Sequence, residues 1–304
     1  MRSVVFGLVL VAVCPAVAHA WTPGTHILLG EAVLRSTAAL PAGLAALLEE
    51  FPWDFLYGSI AADTSIAKKY ARFGRHCHSW TVGFEILTRA RDERLQAFAW
   101  GYLAHLAADV VAHNYFVPHQ LAVTSSTTAL GHSYWESRFE THLSPRYPKR
   151  AVEVIRLDHG ASDTHLDRVL SPTIFSTPTN RRIFRGMVHA TDSASWQRVF
   201  ALVAAKSRWD LAEAVVAAHV ARSYDYVMDL LIREAGSVPY TYDPSGDRAL
   251  RTAKRVRRDA LRAGGDEAAA DEARRSFGLP DSTLPYAANA RDPLYLPATR
   301  PESS

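Results

Sequence analysis

The sequence predicts an all-α fold, a multi-helix bundle, on three observations. Apolar residues recur at helical spacing through most of the 304 residues. No run alternates apolar and polar residues with the period of two that a half-buried strand needs. Proline, glycine and polar clusters fall between the periodic segments and mark their ends. With 48% hydrophobic and 21% charged residues, the chain suits one sizeable globular domain or one domain with an appendage.

The first twenty residues, MRSVVFGLVLVAVCPAVAHA, stand apart from that pattern. Arg2, an apolar run over 4–13 and Ala18-His19-Ala20 have the form of a secretory signal peptide, too short in its apolar part to span a bilayer. Residues 1–20 are therefore expected to be cleaved after Ala20, giving a secreted or periplasmic protein. Loss of Arg2 leaves 33 basic against 31 acidic residues, a charge of +2. So small a charge does not by itself argue for a nucleic acid or a membrane surface. Only Cys77 then remains, so no internal disulfide can form, and the core or a metal must hold the exported chain together.

Apolar spacing predicts helices over 27–40, 42–50, 81–90, 95–113, 132–142, 194–206 and 211–233. Pro41 suits the start of the second. The polar run TSSTTALG at 124–131 reads as a loop feeding the next helix. Residues 144–191 are irregular and polar, with SPTIFSTPTN at 171–180 read as a loop. After Gly236 the composition changes. RALRTAKRVRRDALR is a basic helix candidate, with a solvated face as its plain reading and anionic headgroups or nucleic acid as the sharper one. The Pro-rich remainder reads as extended or disordered. This divides the chain into the leader 1–20, a helical domain 21–235 and a C-terminal extension 236–304. No internal repeat is present.

One stretch, HLAADVVAHNYFVPH from His105 to His119, poses a physical problem. Alanine, leucine and valine make the segment apolar all round as far as Ala112, yet His105, Asp109 and His113 recur every four residues. Positions four apart on a helix differ by only about 40° in direction and about 6 Å along the axis, so these side chains form one stripe. A buried carboxylate needs a partner of opposite charge, and no Lys or Arg lies between Leu95 and Arg138. Neutral histidines hydrogen-bonded to Asp109 are one answer; a cation held between them is the other.

Further pairs favour the cation. GHSYWESRFE places His132 and Glu136 four apart on another predicted helix, HCHSW carries His76 and His78, and SIAADTS carries Asp63 with no adjacent basic residue. Mixed imidazole and carboxylate donors suit zinc, whereas carboxylate-dominated sets suit magnesium or calcium. Cleavage after Ala20 would also bare Trp21, with His26 five residues on. An α-amine beside a cation can lose its proton and become a nitrogen ligand.

Together, the Trp21 and His26 pair, GSIAADT, HSW, GYLAHLAAD and GHSYWE resemble the zinc-dependent phospholipase C family, whose fold is shared with single-strand-specific zinc nucleases. The resemblance runs from Trp21 to about Glu136. It implies an all-α multi-helix bundle with a buried cluster of up to three zinc ions. One ion would be held by Asp63, His78, His105 and Asp109. A second would be held by His113, His132 and Glu136. The third would take the Trp21 amine and carbonyl, His26 and the other oxygen of Asp109. Two departures accompany it. The interval from Asp109 to His113 is four residues where the family has six, so His119 competes with His113. His76 likewise competes with His78, and Cys77 stands between them.

The implied activity is that of an exported zinc phosphodiesterase, a phospholipase C that releases diacylglycerol and a phosphorylated headgroup through a metal-bridging hydroxide, with Asp63 orienting the nucleophile or accepting its proton. Its partner would be a phospholipid, with transient contact to a membrane surface. Trp53, Phe55, Tyr57, Tyr115, Phe116, Tyr134 and Trp135 are either its apolar pocket or simply core. A zinc nuclease on the same scaffold would need cations near the cleft, which the segment between Leu95 and Arg138 lacks. A non-catalytic zinc- or lipid-binding export protein would need fewer ligands.

Overall fold

The computed structural model describes residues 21–65, 76–124, 128–173, 175–205, 207 and 209–295. The expected leader 1–20 and its cleavage site lie outside the described residues, as do 296–304 at the end of the Pro-rich tail. Among the described residues there is no strand, and no helix is long and apolar enough to cross a membrane. The fold is the all-α multi-helix bundle expected from the periodicity.

Its axis is α5 (Glu93–Val111), with every residue from Gly101 to Val111 buried. Asp92 caps it by accepting the Leu95 amide at 2.9 Å. Around α5 pack α3 (Pro52–Ala61), α12 (Glu213–Arg233) and α4 (Trp80–Thr88). The chain continues from α5 into a π-turn (Ala112–Phe116) and then α6 (Val117–Thr124). Next come α7 (Thr128–Glu140), α8 (Arg146–Arg156), α9 (Gly160–Val169), α10 (Thr177–Thr191) and α11 (Ala194–Ala205). Helix α1 (Pro23–Leu34) lies against α3 and α8, followed by α2 (Ala42–Glu50). Helix α13 (Asp247–Phe277) packs along α6.

Helices α3 and α5 cross closely, and two glycines make room for it. A Cβ on Gly58 would overlap the Phe98 carbonyl, and one on Gly101 would overlap the Phe55 carbonyl. The backbones therefore meet with no side chain between them. That contact brings the end of α3, with Ser59 and Asp63, against His105 on α5.

Three differences from the sequence expectation have physical causes. Helix α3 escapes the periodicity because nearly all its residues, Asp54 to Ala61, are buried, so no polar face alternates with an apolar one. The segment 144–191 holds three helices rather than irregular chain. In α8, Tyr147, Ala151, Val152, Val154 and Ile155 form a buried face beneath a basic one. Helix α10 starts inside the expected loop, with Ser176 as its cap and Pro178 in the first turn, where proline is tolerated. These helices are tied to the core through Asp163, which accepts from the Tyr57 hydroxyl at 2.5 Å and pairs with Arg181 and Arg185 at 3.2 Å each.

The basic segment does form a helix, broken at Gly264 and Gly265, the second with φ +73°. Beyond it the chain has little regular structure but is tied to α12: the Ala287 amide and the Ser282 hydroxyl donate to Asp225 at 2.8 and 2.9 Å. Of the aromatics considered for a pocket, Phe55, Tyr57, Phe116 and Trp135 are core, and Trp53 is exposed.

Candidate metal centre

Helices α1, α5 and α7, the π-turn, the 3-10 turn after α3 and the loop before α4 bring the expected donors together. His26, Asp63, His78, His105, Asp109, His113, His132 and Glu136 are each at most 4% exposed. His105 and Asp109, one turn apart on α5, form the centre.

Asp109 Oδ2 lies 2.8 Å from His78 Nε2 and 3.1 Å from His105 Nε2. Those two nitrogens are 3.1 Å apart, and Asp63 Oδ1 stands 3.4 Å from His78 Nε2 and 3.9 Å from His105 Nε2. The other oxygen, Asp109 Oδ1, faces His26 Nε2 at 3.3 Å. Zinc bonds of about 2.0–2.1 Å in a tetrahedron set neighbouring donors about 3.3 Å apart, which is the scale of these separations. Neither Asp109 oxygen, nor His26 Nε2, satisfies hydrogen-bond geometry despite complete burial. Donors packed this way fit a cation better than they fit one another.

A second donor group, His113, His132 and Glu136, has its ligand atoms within 4.8 Å of one another. His132 Nε2 and Glu136 Oε1 are 2.6 Å apart across one turn of α7. His113 reaches this group because the helix widens into a π-turn there, a distortion frequent at functional sites. His119 joins no donor group among the described residues. His76 does form a group with Cys77 and His78, and its Nδ1 accepts the His78 amide at 3.0 Å.

Main-chain carbonyls fix the rings. His105 Nδ1–H donates to the Ser59 carbonyl at 2.9 Å, and His113 Nδ1–H to the Pro244 carbonyl at 2.6 Å. Each bond selects the tautomer that leaves the Nε2 lone pair available as a donor. The turn that supplies Pro244 does more. The Tyr242 carbonyl accepts from Trp80 Nε1 at 2.8 Å, two residues past His78, and the Asp243 carbonyl accepts from Asn114 Nδ2 at 2.9 Å. Three successive carbonyls thus hold both sides of the site. Gly246, at φ +59°, closes the turn against the backbone of His113.

Burial alone would raise the Asp109 pKa, but the close imidazoles of His105, His26 and His78 hold it well below the usual carboxylate range. Burial, helped by repulsion from His105, pushes His26 down to about 4 against the pull of Asp109 and Asp63. At neutral pH this leaves an ionised carboxylate beside a neutral imidazole, the protonation states that metal ligands require.

The family match agrees with this geometry. Residues 25–174 match the family model for zinc dependent phospholipase C. This segment belongs to the zinc-dependent phospholipase C family. Neither the curated proteins nor the solved structures give a match. The family and the donor groups support zinc as the metal.

Trp21 lies four residues before the zinc-dependent phospholipase C match and packs onto the same centre. Its indole Nε1 donates to the Ala108 carbonyl at 3.1 Å, next to Asp109, and its ring lies against Phe116 and Phe139. Glu140, one turn beyond Glu136, accepts from the Thr22 hydroxyl at 2.7 Å and the Gly24 amide at 3.1 Å. Glu140 was not among the residues expected from the sequence, although it continues the His132 and Glu136 stripe. Nor were the carbonyls of Ser59 and residues 242–244, because a main-chain acceptor has no residue-type signature. Only the turn signal DPSG at 243–246 points to them.

Proposed function

We propose that the chain is an exported zinc-dependent phosphodiesterase, a phospholipase C that hydrolyses a glycerophospholipid to diacylglycerol and a phosphorylated headgroup. The observation that carries this reading is Asp109, whose two oxygens face different histidines inside a fully buried donor cluster. Asp63, His78, His105 and Asp109 would hold one zinc, and His113, His132 and Glu136 a second. A third would sit between His26, Asp109 and the amine and carbonyl of Trp21. Zinc bound there would acidify water towards pH 7 and neutralise charge on a phosphoryl group.

The chain's own residues supply orientation and proton control. Asp63, at the edge of the cluster, is the carboxylate suited to orient the attacking water and take its proton. The carbonyls of Ser59 and Pro244 keep the imidazoles of His105 and His113 aimed inwards. Export with cleavage after Ala20 would give Trp21 its free amine. The indole bond to Ala108 and the Glu140 clamp on Thr22 and Gly24 support that role by anchoring this segment beside Asp109.

The test is hydrolysis by zinc-loaded protein of phosphatidylcholine against single-stranded DNA. Headgroup release without DNA cleavage supports the reading, and the reverse result assigns the scaffold to nuclease activity. Trp21 is tested separately by zinc analysis of protein beginning at Trp21 and of a version with one added N-terminal alanine. An unchanged zinc content would refute its role.

A further inference from the structure

The first half of α13 carries a feature that the metal centre does not use. Arg248, Arg251, Arg255, Arg258 and Arg262 are all exposed and follow one another at intervals of three, four, three and four. At 100° per residue this spacing confines them to one narrow face, about 21 Å long. Exposed Lys254 flanks the row. The opposite face buries Ala253 and Ala260, and the helix packs on α6.

Few carboxylates offset this row. Arg251 meets Asp247 at 3.1 Å and Arg258 meets Asp259 at 3.4 Å. Arg248, Lys254, Arg255 and Arg262 make no ion pair among the described residues. The break at Gly264 and Gly265 ends the row, and the second half of the helix begins with Asp266 and Glu267. The remaining arginine, Arg257, points elsewhere and donates to the carbonyls of Ala122 and Val123. The cations that face solvent are therefore separated from the one used in packing.

We infer that the exposed arginine row of α13 is a docking surface for an anionic phospholipid layer. A planar sheet of phosphates complements a straight row of guanidinium groups, each able to bind phosphate oxygens in pairs. Leu261 is exposed on the same half-helix, at 39%, and offers an apolar contact. No aromatic residue stands on this stretch to stack a base, which disfavours single-stranded nucleic acid as the partner. The helix starts beside Gly246, which touches His113, so docking would bring the headgroup layer within one helix length of the donor cluster. The inference rests on the phospholipid reading above for its purpose, but its test does not depend on hydrolysis.

The experiment is co-sedimentation of zinc-loaded full-length protein with vesicles of phosphatidylcholine alone or mixed with phosphatidylglycerol. The comparison is a variant carrying Arg251→Gln, Arg255→Gln, Arg258→Gln and Arg262→Gln, which spares Arg257 and every metal donor. Each cation near an anionic surface contributes about 1 kcal/mol, roughly a fivefold change in partition, so the variant should bind mixed vesicles several-hundred-fold more weakly. Wild-type binding should require phosphatidylglycerol and weaken as salt rises. Equal binding of both proteins, or binding independent of phosphatidylglycerol, overturns the inference. Tighter row-dependent binding to single-stranded DNA than to vesicles also overturns it. Hydrolysis of a dispersed short-chain phospholipid is read in parallel. Its absence would count against the proposed activity, while loss of vesicle binding alone counts only against the docking surface.

Discussion

Gly246→Ala is the sharpest probe of the metal centre, because it alters no donor. At φ +59° an alanine costs about 1–2 kcal/mol more than glycine through its own backbone. The new methyl would also overlap Cβ and the carbonyl oxygen of His113 and lie 2.7 Å from its carbonyl carbon. Overpacking of this kind costs typically about 1–3 kcal/mol, so the total is about 2–5 kcal/mol. The strain can be relieved in one place, by pushing the 242–246 turn away from the π-turn. That would break the bond from His113 Nδ1 to the Pro244 carbonyl and leave the ring free to rotate. Loss of such an orienting bond typically costs about 10–100-fold in metal affinity. The assay is zinc content and competitive zinc titration, with thermal melting of the metal-free protein alongside. The expected result is weaker zinc retention together with a lower melting temperature. Gly43→Ala, where an added methyl meets nothing within 4 Å, is the matched control and should change neither. A Gly246→Ala protein with wild-type zinc affinity and an unshifted melting temperature would show that the turn does not govern His113.

Other outcomes follow from the same structure. Asp109→Asn should lose zinc from both donor groups that share this residue, whereas Glu136→Gln should affect only the group on α7; metal analysis separates the two. Gly58→Ala or Gly101→Ala should destabilise the protein by at least about 1–3 kcal/mol in chemical denaturation, since each methyl meets a carbonyl across the α3 and α5 crossing. His219 is pushed down to about 4, chiefly by burial, so below pH 6.5 the unfolded chain gains a proton that the folded protein refuses until about pH 4. Stability should therefore fall by up to about 3 kcal/mol as pH drops through that window and then level off. A His219→Gln variant should show a shallower acid-side slope in a plot of melting temperature against pH, and an unchanged slope would contradict this.

Much of this architecture was legible in the chain, for reasons that differ from place to place. His105 and Asp109 stood out because charge-bearing side chains interrupted an otherwise apolar helix with no cation nearby. His132 and Glu136 showed the same interval on α7. Helix α3 was invisible because burial on all sides erases the contrast that periodicity measures. The helices within 144–191 were hidden by prolines, which open a helix as readily as they end a loop. The choice between His113 and His119 could not be made from spacing alone, because a π-turn changes the rise and rotation that a regular helix would impose. The acceptors at Ser59, Tyr242, Asp243 and Pro244 belong to the backbone, and no side chain announces them.

The turn at 242–246 also bears on the order in which the molecule can be assembled. His26 comes from the first described helix and Pro244 from far along the chain, so the centre joins segments separated by most of the polypeptide. Such distant pairings form late, after the intervening helices have condensed. A fragment ending at residue 174 would keep every side chain proposed to bind zinc, yet lack the clasp that aims one of them. Ion capture would then come as the closing act of folding rather than its seed.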